Sequence, residues 1–373
     1  MFNLTLVVAG LKEFIIDDLG GTVTDATLFF SVETIAYILF APIWGLMSDQ
    51  SGKRKPFVVI GFLASAILYA VYWVVPSVAI LLAVRFAQGA ASVMGWSTVM
   101  AMLLDHPDRE KHGRYMGFMG ASLMLGIALG APTGGYLTRW YGSRAPVLGA
   151  AILFFILALI ALIGLRETWR ERASPTREIL DTLVRTPRLL LPYALHFVDR
   201  FAVGLFVVVF PLYLDSLGAG DAAVRGRFLS YFLVPFALLQ VFTGRLTERT
   251  GPLMPLVLGS GVYGLLLCTV GYAELYQLTP IMGFLGVFAA VMFPPAILLT
   301  SQLSSPGNRG SAMGGFNLAG SLGFAIGPIV GGAIYAAHGF GIAFVVCGLL
   351  EVFAATIALV VCWRWFEPQP ARP

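Results

Sequence analysis

The sequence predicts an all-α integral membrane protein of twelve transmembrane helices in two pseudo-symmetric six-helix bundles. Three observations carry that prediction. Hydrophobic residues make up 58% of the chain and charged residues 12%, with a mean hydropathy of +0.83, whereas a soluble domain carries roughly a quarter charged residues. Apolar runs near the ~20 residues that cross a bilayer recur twelve times between short polar breaks. The second half of the chain also repeats the spacing of the first.

The runs are 1–16, 26–47, 57–75, 77–104, 113–138, 145–165, 191–214, 227–247, 253–273, 277–303, 309–336 and 341–364. Each ends on residues that stop a helix. "DDLGG" closes the first, "GLMSDQSGKRKP" separates the second from the third, and Pro76 the third from the fourth. "DHPDREKHGR" follows the fourth, "YGSRAP" the fifth, "DSLGAGD" the seventh and "TERTGP" the eighth. "YAELYQ", "SSPGNRG" and "HGFG" punctuate the rest. The first run is short: sixteen residues rise about 24 Å against a hydrocarbon core of about 30 Å. In the repeat described below, Met1 falls opposite Asp199. Either the coding start lies upstream or this helix is truncated, and the reading favours the upstream start. No small-residue cleavage site follows the first run, so no cleavable signal peptide is expected.

The longest polar stretch, 166–188, divides six runs from six. The expected domains are therefore an N-terminal bundle at 1–165, a cytoplasmic linker at 166–190, a C-terminal bundle at 191–365 and a cytoplasmic tail at 366–373. Of 24 Lys and Arg residues, seventeen follow even-numbered runs or lie in the tail, and four follow odd-numbered runs. That bias places both termini in the cytoplasm of a multi-pass inner-membrane protein.

The repeat is explicit. Gly45, Asp49, Gly52 and Pro56 recur 199 residues later as Gly244, Glu248, Gly251 and Pro255. Gly126, Gly130, Gly134 and Gly135 recur 197 residues later as Gly323, Gly327, Gly331 and Gly332. Asp17, Leu19 and Gly20 recur 198 residues later as Asp215, Leu217 and Gly218. Two parallel six-helix repeats follow, an arrangement that encloses a site near the membrane midplane.

These residues resemble the major facilitator superfamily over essentially the whole chain, most like its twelve-helix drug/proton antiporters. "GLMSDQSGKRKP" is similar to that family's loop motif between helices 2 and 3, departing at Gln50, where a cation is usual. "RFAQGAAS", from Arg85, resembles the helix-4 motif. "GIALGAPTGG", from Gly126, resembles the helix-5 antiporter signature with its proline one place late, at Pro132; the copy at Gly327-Pro328 keeps the usual place. The resemblance implies a conformational latch of Gly45, Asp49, Gly52, Lys53 and Arg54, with Asp105 and Glu248, formed when the cytoplasmic side is closed. The alternative is that these cations only anchor the loop inside. Two glycine ladders, Gly126, Gly130, Pro132 and Gly134, and Gly323, Gly327, Pro328 and Gly331, present smooth faces for close approach. They read as a flexing interface between the halves or as tight packing.

An ionisable side chain at bilayer depth costs about 3 kcal/mol even on lenient scales, so it faces a cavity or a partner. Glu33, with Tyr37 one turn on, and Asp199 are the proton-coupling candidates. Arg85 and Gln88 are expected to face a cavity, with Arg200, Asn317, Tyr231 and Gln240 as further lining. Asp199 and Arg200 are adjacent and point about 100° apart on a helix, so each is expected to find its own partner. Lys12 and Glu13 fall within the first run. Glu351 ranks lower, because helix 12 is peripheral in the family that the chain resembles.

Cys268, Cys347 and Cys362 show no CxxC or metal-ligand spacing, so no disulfide, metal or cofactor is expected. The net charge of +4 is scattered over short loops and forms no nucleic-acid face. No nucleophile with a base and no phosphate loop points to an enzyme. The leading expectation is a monomeric secondary active transporter, exporting a small amphipathic or hydrophobic compound by proton-coupled alternating access. The alternatives are proton-coupled uptake of a metabolite anion clamped by Arg85 and Arg200, and a non-transporting membrane sensor or assembly protein of the same fold.

Overall fold

The computed structural model describes residues 2–105, 112–167, 181–304 and 309–366. Helix α1, Phe2–Val8, continues through a π-helical turn at Lys12–Asp18. It is followed by α2 Val23–Ser51, α3 Lys55–Val71, α4 Val78–Asp105, α5 His112–Tyr141 and α6 Ala145–Gly164. A 3₁₀ turn, Pro187–Leu189, leads into α7 Leu190–Ser216, then α8 Ala222–Thr250, α9 Leu253–Val270 and α10 Leu275–Leu303. The final stretch, Arg309–Phe366, breaks at Gly339 (φ 82°, ψ 179°) into α11 and α12. Eight stretches among the described residues are long and apolar enough to cross a bilayer, the last of them holding both α11 and α12.

Local chemistry sets the helix ends. Thr22 and Asp25 form a capping box at the start of α2, the Asp25 carboxylate accepting from the Thr22 amide at 2.7 Å and the Thr22 hydroxyl satisfying a free amide in return. Gly52 closes the same helix at φ 64°, a left-handed conformation cheap only for glycine. Pro56 stands in the first turn of α3, where its missing N–H costs nothing. Asp221 caps α8 by accepting from the Ala223 amide at 2.8 Å.

The repeat becomes visible as matched backbone contacts. A Cβ at Gly130 or Gly134 would strike the carbonyls of Phe2 and Leu6 on α1, and one at Gly323 or Gly327 those of Phe197 and Phe201 on α7. Gly126 faces Phe2 and Gly331 faces Leu205 in the same two seams. The α5–α1 and α11–α7 pairs are therefore built alike. Gly61 on Gly95, in α3 and α4, matches Gly259 on Met292, in α9 and α10.

This corrects one expectation. Both glycine ladders lie inside a bundle and bind its own first helix, so they are not the seam between halves. The seam falls to the next residue along, about 100° round the helix. A Cβ at Gly135 would sit 2.5 Å from the Ala222 carbonyl, and one at Gly332 would sit 2.7 Å from the Thr27 methyl. Gly226 returns the contact on Ala131, at 2.7 Å from its carbonyl.

Burial along α2 shows how far the seam runs. Ala26, Thr27, Phe29, Phe30, Ser31, Glu33, Thr34 and Ala36 are buried, and beyond them only Ser48 is. Leu39, Ile43, Leu46 and Met47 are exposed, as are Leu238, Phe242 and Leu246 on α8. The two bundles meet tightly at the end marked by Glu13, whereas α2 and α8 present exposed apolar side chains toward the end marked by Asp49.

Substituting Gly327→Ala is expected to lower the thermal unfolding midpoint of the detergent-solubilised protein, the methyl costing about 1–3 kcal/mol by overpacking. Gly283→Ala, where nothing lies within 4 Å, is the control and should not lower it. Equal midpoints for the two would remove the packing role.

Candidate functional site

The polar centre of the first bundle is assembled from α2, α3 and α4. Gly89 lets α4 approach α2 closely: a Cβ there would lie 2.9 Å from the Glu33 carbonyl. Across that contact Arg85 donates to Glu33 Oε2 at 2.5 Å, with both side chains buried. Arg85 also donates to Gln88 Oε1 at 2.9 Å, the Tyr69 hydroxyl at 3.1 Å and the Phe29 carbonyl at 3.2 Å. Its guanidinium stacks 4.0 Å from the centre of the Phe29 ring. Tyr37, four residues from Glu33 and so on the same helix face, donates to Glu33 Oε1 at 3.2 Å. Gln88 donates to Ser92 at 2.6 Å, and Ser92 meets Ser65 at 3.1 Å.

Sequence reading paired Glu33 with Tyr37 and Arg85 with Gln88; the structure brings the two pairs together across α2 and α4. Arg85 uses its donor face to hold the Glu33 carboxylate. Arg85 is wholly buried and faces its own bundle, because a guanidinium at bilayer depth is stable only beside a carboxylate.

The centre of the second bundle is smaller. Arg200 grips Asp199 through Nη2 at 2.6 Å and Nε at 2.8 Å, so the expectation of separate partners fails. Adjacent Cβ atoms diverge on a helix, but the arginine stem is long enough to fold its fork back onto the neighbouring carboxylate. The guanidinium also lies 5.2 Å over the Phe293 ring. His196 Nδ1 stands 3.7 Å from the same carboxylate, and its ring stacks on Phe316 with centroids 3.9 Å apart. Of the other lining candidates, Tyr231 and Asn317 are exposed, and Gln240 has its amide nitrogen buried without a hydrogen-bond partner.

The latch residues fall at the end marked by Asp49. Arg54 is buried and pairs with Asp49 at 2.7 Å, donating also to Ser48 at 2.8 Å. Glu167, unremarked in the sequence, accepts from the amides of Arg54 at 2.7 Å and Lys55 at 3.2 Å and so caps α3. Lys53 is exposed. The Asp49–Arg54 pair lies within the first bundle. Gly45 and its repeat partner Gly244 have nothing within 4 Å of a built Cβ. The side chains of Asp105 and Glu248 lie outside the described residues.

At the opposite end sequence reasoning missed a cross-bundle cluster. Arg225, assigned there to a loop, is wholly buried near the start of α8. It pairs with Glu13 of α1 and with Asp215 at 3.3 Å, and donates to the Ala9 carbonyl at 3.2 Å. Lys12 reaches the same Asp215 at 3.3 Å, and Arg139 of α5 reaches Asp221 at 3.2 Å. The signal that could have found it was Lys12 and Glu13, two charges in an apolar run with no local partner for Glu13.

Two six-helix repeats, sealed at one end and carrying buried ion pairs at bilayer depth, define a polytopic secondary transporter. The Major Facilitator Superfamily model matches residues 1–226 and 192–373, and the chain belongs to that superfamily. It is 26% identical over 345 residues to the multi-drug resistance efflux pump PmrA of Streptococcus pneumoniae, covering 90% of this chain and 85% of that protein. It is 26% identical over 339 residues to the multidrug resistance protein MdtG of Salmonella typhimurium, covering 88% and 83%. Its fold is similar to the crystal structure of a bacterial homologue of the human lysosomal transporter Spinster in an inward-facing, occupied conformation. That match has a TM-score of 0.82 and 14% identity, covering 99% of this chain and 97% of that one.

Replacing Arg85 with Met leaves Glu33 buried without its counter-charge, an expected loss of about 3–5 kcal/mol. The double substitution Glu33→Leu/Arg85→Met should recover most of that loss. Unfolding midpoints of the four proteins form a double-mutant cycle; additive losses would show that the two residues do not act as a unit.

Proposed function

We propose that this protein is a proton-coupled antiporter that exports a small amphipathic or hydrophobic compound by alternating access. The observation that carries the reading is the one-sided seal. The cluster around Arg225 and the Gly135 and Gly332 contacts hold the bundles together at the Glu13 end, while α2 and α8 expose apolar side chains at the Asp49 end. A protein that rocks two bodies about a central site closes one end at a time. In this reading residues 1–165 and 191–365 are the two bodies, acting as a monomer in the bilayer. The Lys/Arg bias puts the Asp49 end and both termini in the cytoplasm of the inner membrane, so the conformation described is open inward. The space beside Gly45 and Gly244 would receive the opposite bundle when that end closes.

Export is supported by PmrA and MdtG, whose names describe a drug efflux pump and a drug resistance protein. Glu33 and Asp199 are the proton-coupling candidates of the two bundles: each is paired with an arginine, and in this reading each takes a proton when cargo or motion draws that arginine away. Uptake of an anion clamped by Arg85 and Arg200 is less well supported, since both guanidiniums are already on carboxylates.

The test is flux of a panel of lipophilic cations and metabolite anions in proteoliposomes under an imposed pH gradient. Lipophilic cargo should move against the proton flow and stop on adding a protonophore. Glu33→Gln and Asp199→Asn should each reduce gradient-driven flux at least tenfold. Accumulation of a carboxylate or phosphate, or flux indifferent to the gradient, would overturn the reading.

A further inference from the structure

Glu351 stands in α12 with its side chain 1% exposed and its Oε1 buried without a hydrogen-bond partner. Two glycines close the helices around it: a Cβ at Gly264 of α9 would lie 2.6 Å from the Gly348 carbonyl and 2.9 Å from the Glu351 Cβ. Gly264 stands one helical turn along α9 from Ser260, which lines a small cavity together with Asp199 of α7, the carboxylate held by Arg200. Tyr263 of α9, next to Gly264, is buried. Cys347, one turn away on α12, is buried, and a Cβ at Gly348 beside it would strike Cys268 Sγ of α9. Helix α11 carries no ionisable side chain between Ser311 and Tyr335, and the one titratable residue of α10, Tyr276, is exposed at its start. Asp199 itself borders a cavity of about 10 Å³ lined by His196, Ser260, Met292 and Phe293, room for a single water.

The charge balance is unequal. Two carboxylates share this interior with one guanidinium, and Arg200 is committed to Asp199 through two hydrogen bonds. An ionised Glu351 would be an uncompensated charge inside both a protein and a bilayer. Neutralising it by a proton removes that penalty.

We propose that Glu351 is a proton-binding site, and that Glu351 and Asp199 share one proton and the one guanidinium of Arg200. In the conformation described, the proton is on Glu351 and the arginine on Asp199. The Arg200 head is partly exposed and stacked on Phe293, so it has room to turn. When it leaves Asp199 for Glu351, the Glu351 O–H bond breaks and an O–H bond forms on Asp199. Nothing is oxidised or reduced. The inference concerns the second bundle alone and does not depend on which cargo moves, or on whether any does.

The test is infrared spectroscopy of the whole protein in lipid vesicles at neutral pH, following the C=O stretch of protonated carboxyl groups. Wild-type protein should show such a band, shifted by ¹³C-glutamate labelling and unmoved by ¹³C-aspartate labelling. Glu351→Gln should abolish it. Arg200→Gln removes the shared cation and should add a second band that ¹³C-aspartate shifts. Should Glu351→Gln fail to fold, the isotope experiment on the wild-type chain still decides. Absence of a glutamate-derived band, its survival in Glu351→Gln, or no aspartate band in Arg200→Gln would each overturn the proposal.

Discussion

A charge taken into a bilayer has no water to fall back on, so it must carry its partner with it. Arg54, Arg85 and Arg225 are among the largest fully buried side chains of this protein, and each lies on a carboxylate. They mark three levels of the molecule. Arg54 fixes the turn between α2 and α3, Arg85 ties α4 to α2 inside the first bundle, and Arg225 crosses from the second bundle to α1. The rest of the structure consists of apolar helices brought close enough for those pairs to form.

Glycine sets that closeness. At Gly134, Gly327 and Gly286 the neighbouring helix presents its backbone carbonyl where a side chain would otherwise stand, and such approach maximises dispersion contact where lipid gives no hydrophobic drive between helices. The two halves share this scaffold and differ in what they hang on it. Gly89 opens α4 toward Glu33, and its counterpart Gly286 opens α10 toward Phe232. The first bundle therefore holds its ion pair between α2 and α4, while the second holds an aromatic there and keeps its charges on α7 and α12.

Much of the frame was legible in the sequence. Helix ends followed from Gly52, Pro56, Asp221 and Gly339, residues whose effect is local. The repeat followed from glycine spacing, because backbone contacts tolerate few substitutions in either copy. The pairs Glu33 with Tyr37 and Arg85 with Gln88 were also readable, since i,i+4 and i,i+3 spacing puts each pair on one helix face; their meeting across α2 and α4 was not. Two readings gave way to the structure: the glycine ladders as a seam between the halves, and the separation of Asp199 from Arg200. Each depended on which way a helix face turns, or on how far a flexible side chain reaches.

By itself the sequence determined that this is a membrane protein of two repeated six-helix units, with its cations gathered at alternate loops and its ionisable groups rare enough to name. Only the tertiary structure decided that Glu13 belongs to Arg225, more than two hundred positions away, that Glu351 points inward, and that one end of the seam is shut. The physical reason is that these helices are apolar on nearly every side. A soluble helix reveals its inner face by contrast with its wet one; a helix bathed in lipid shows no such contrast, so its orientation emerges only when its neighbours are in place.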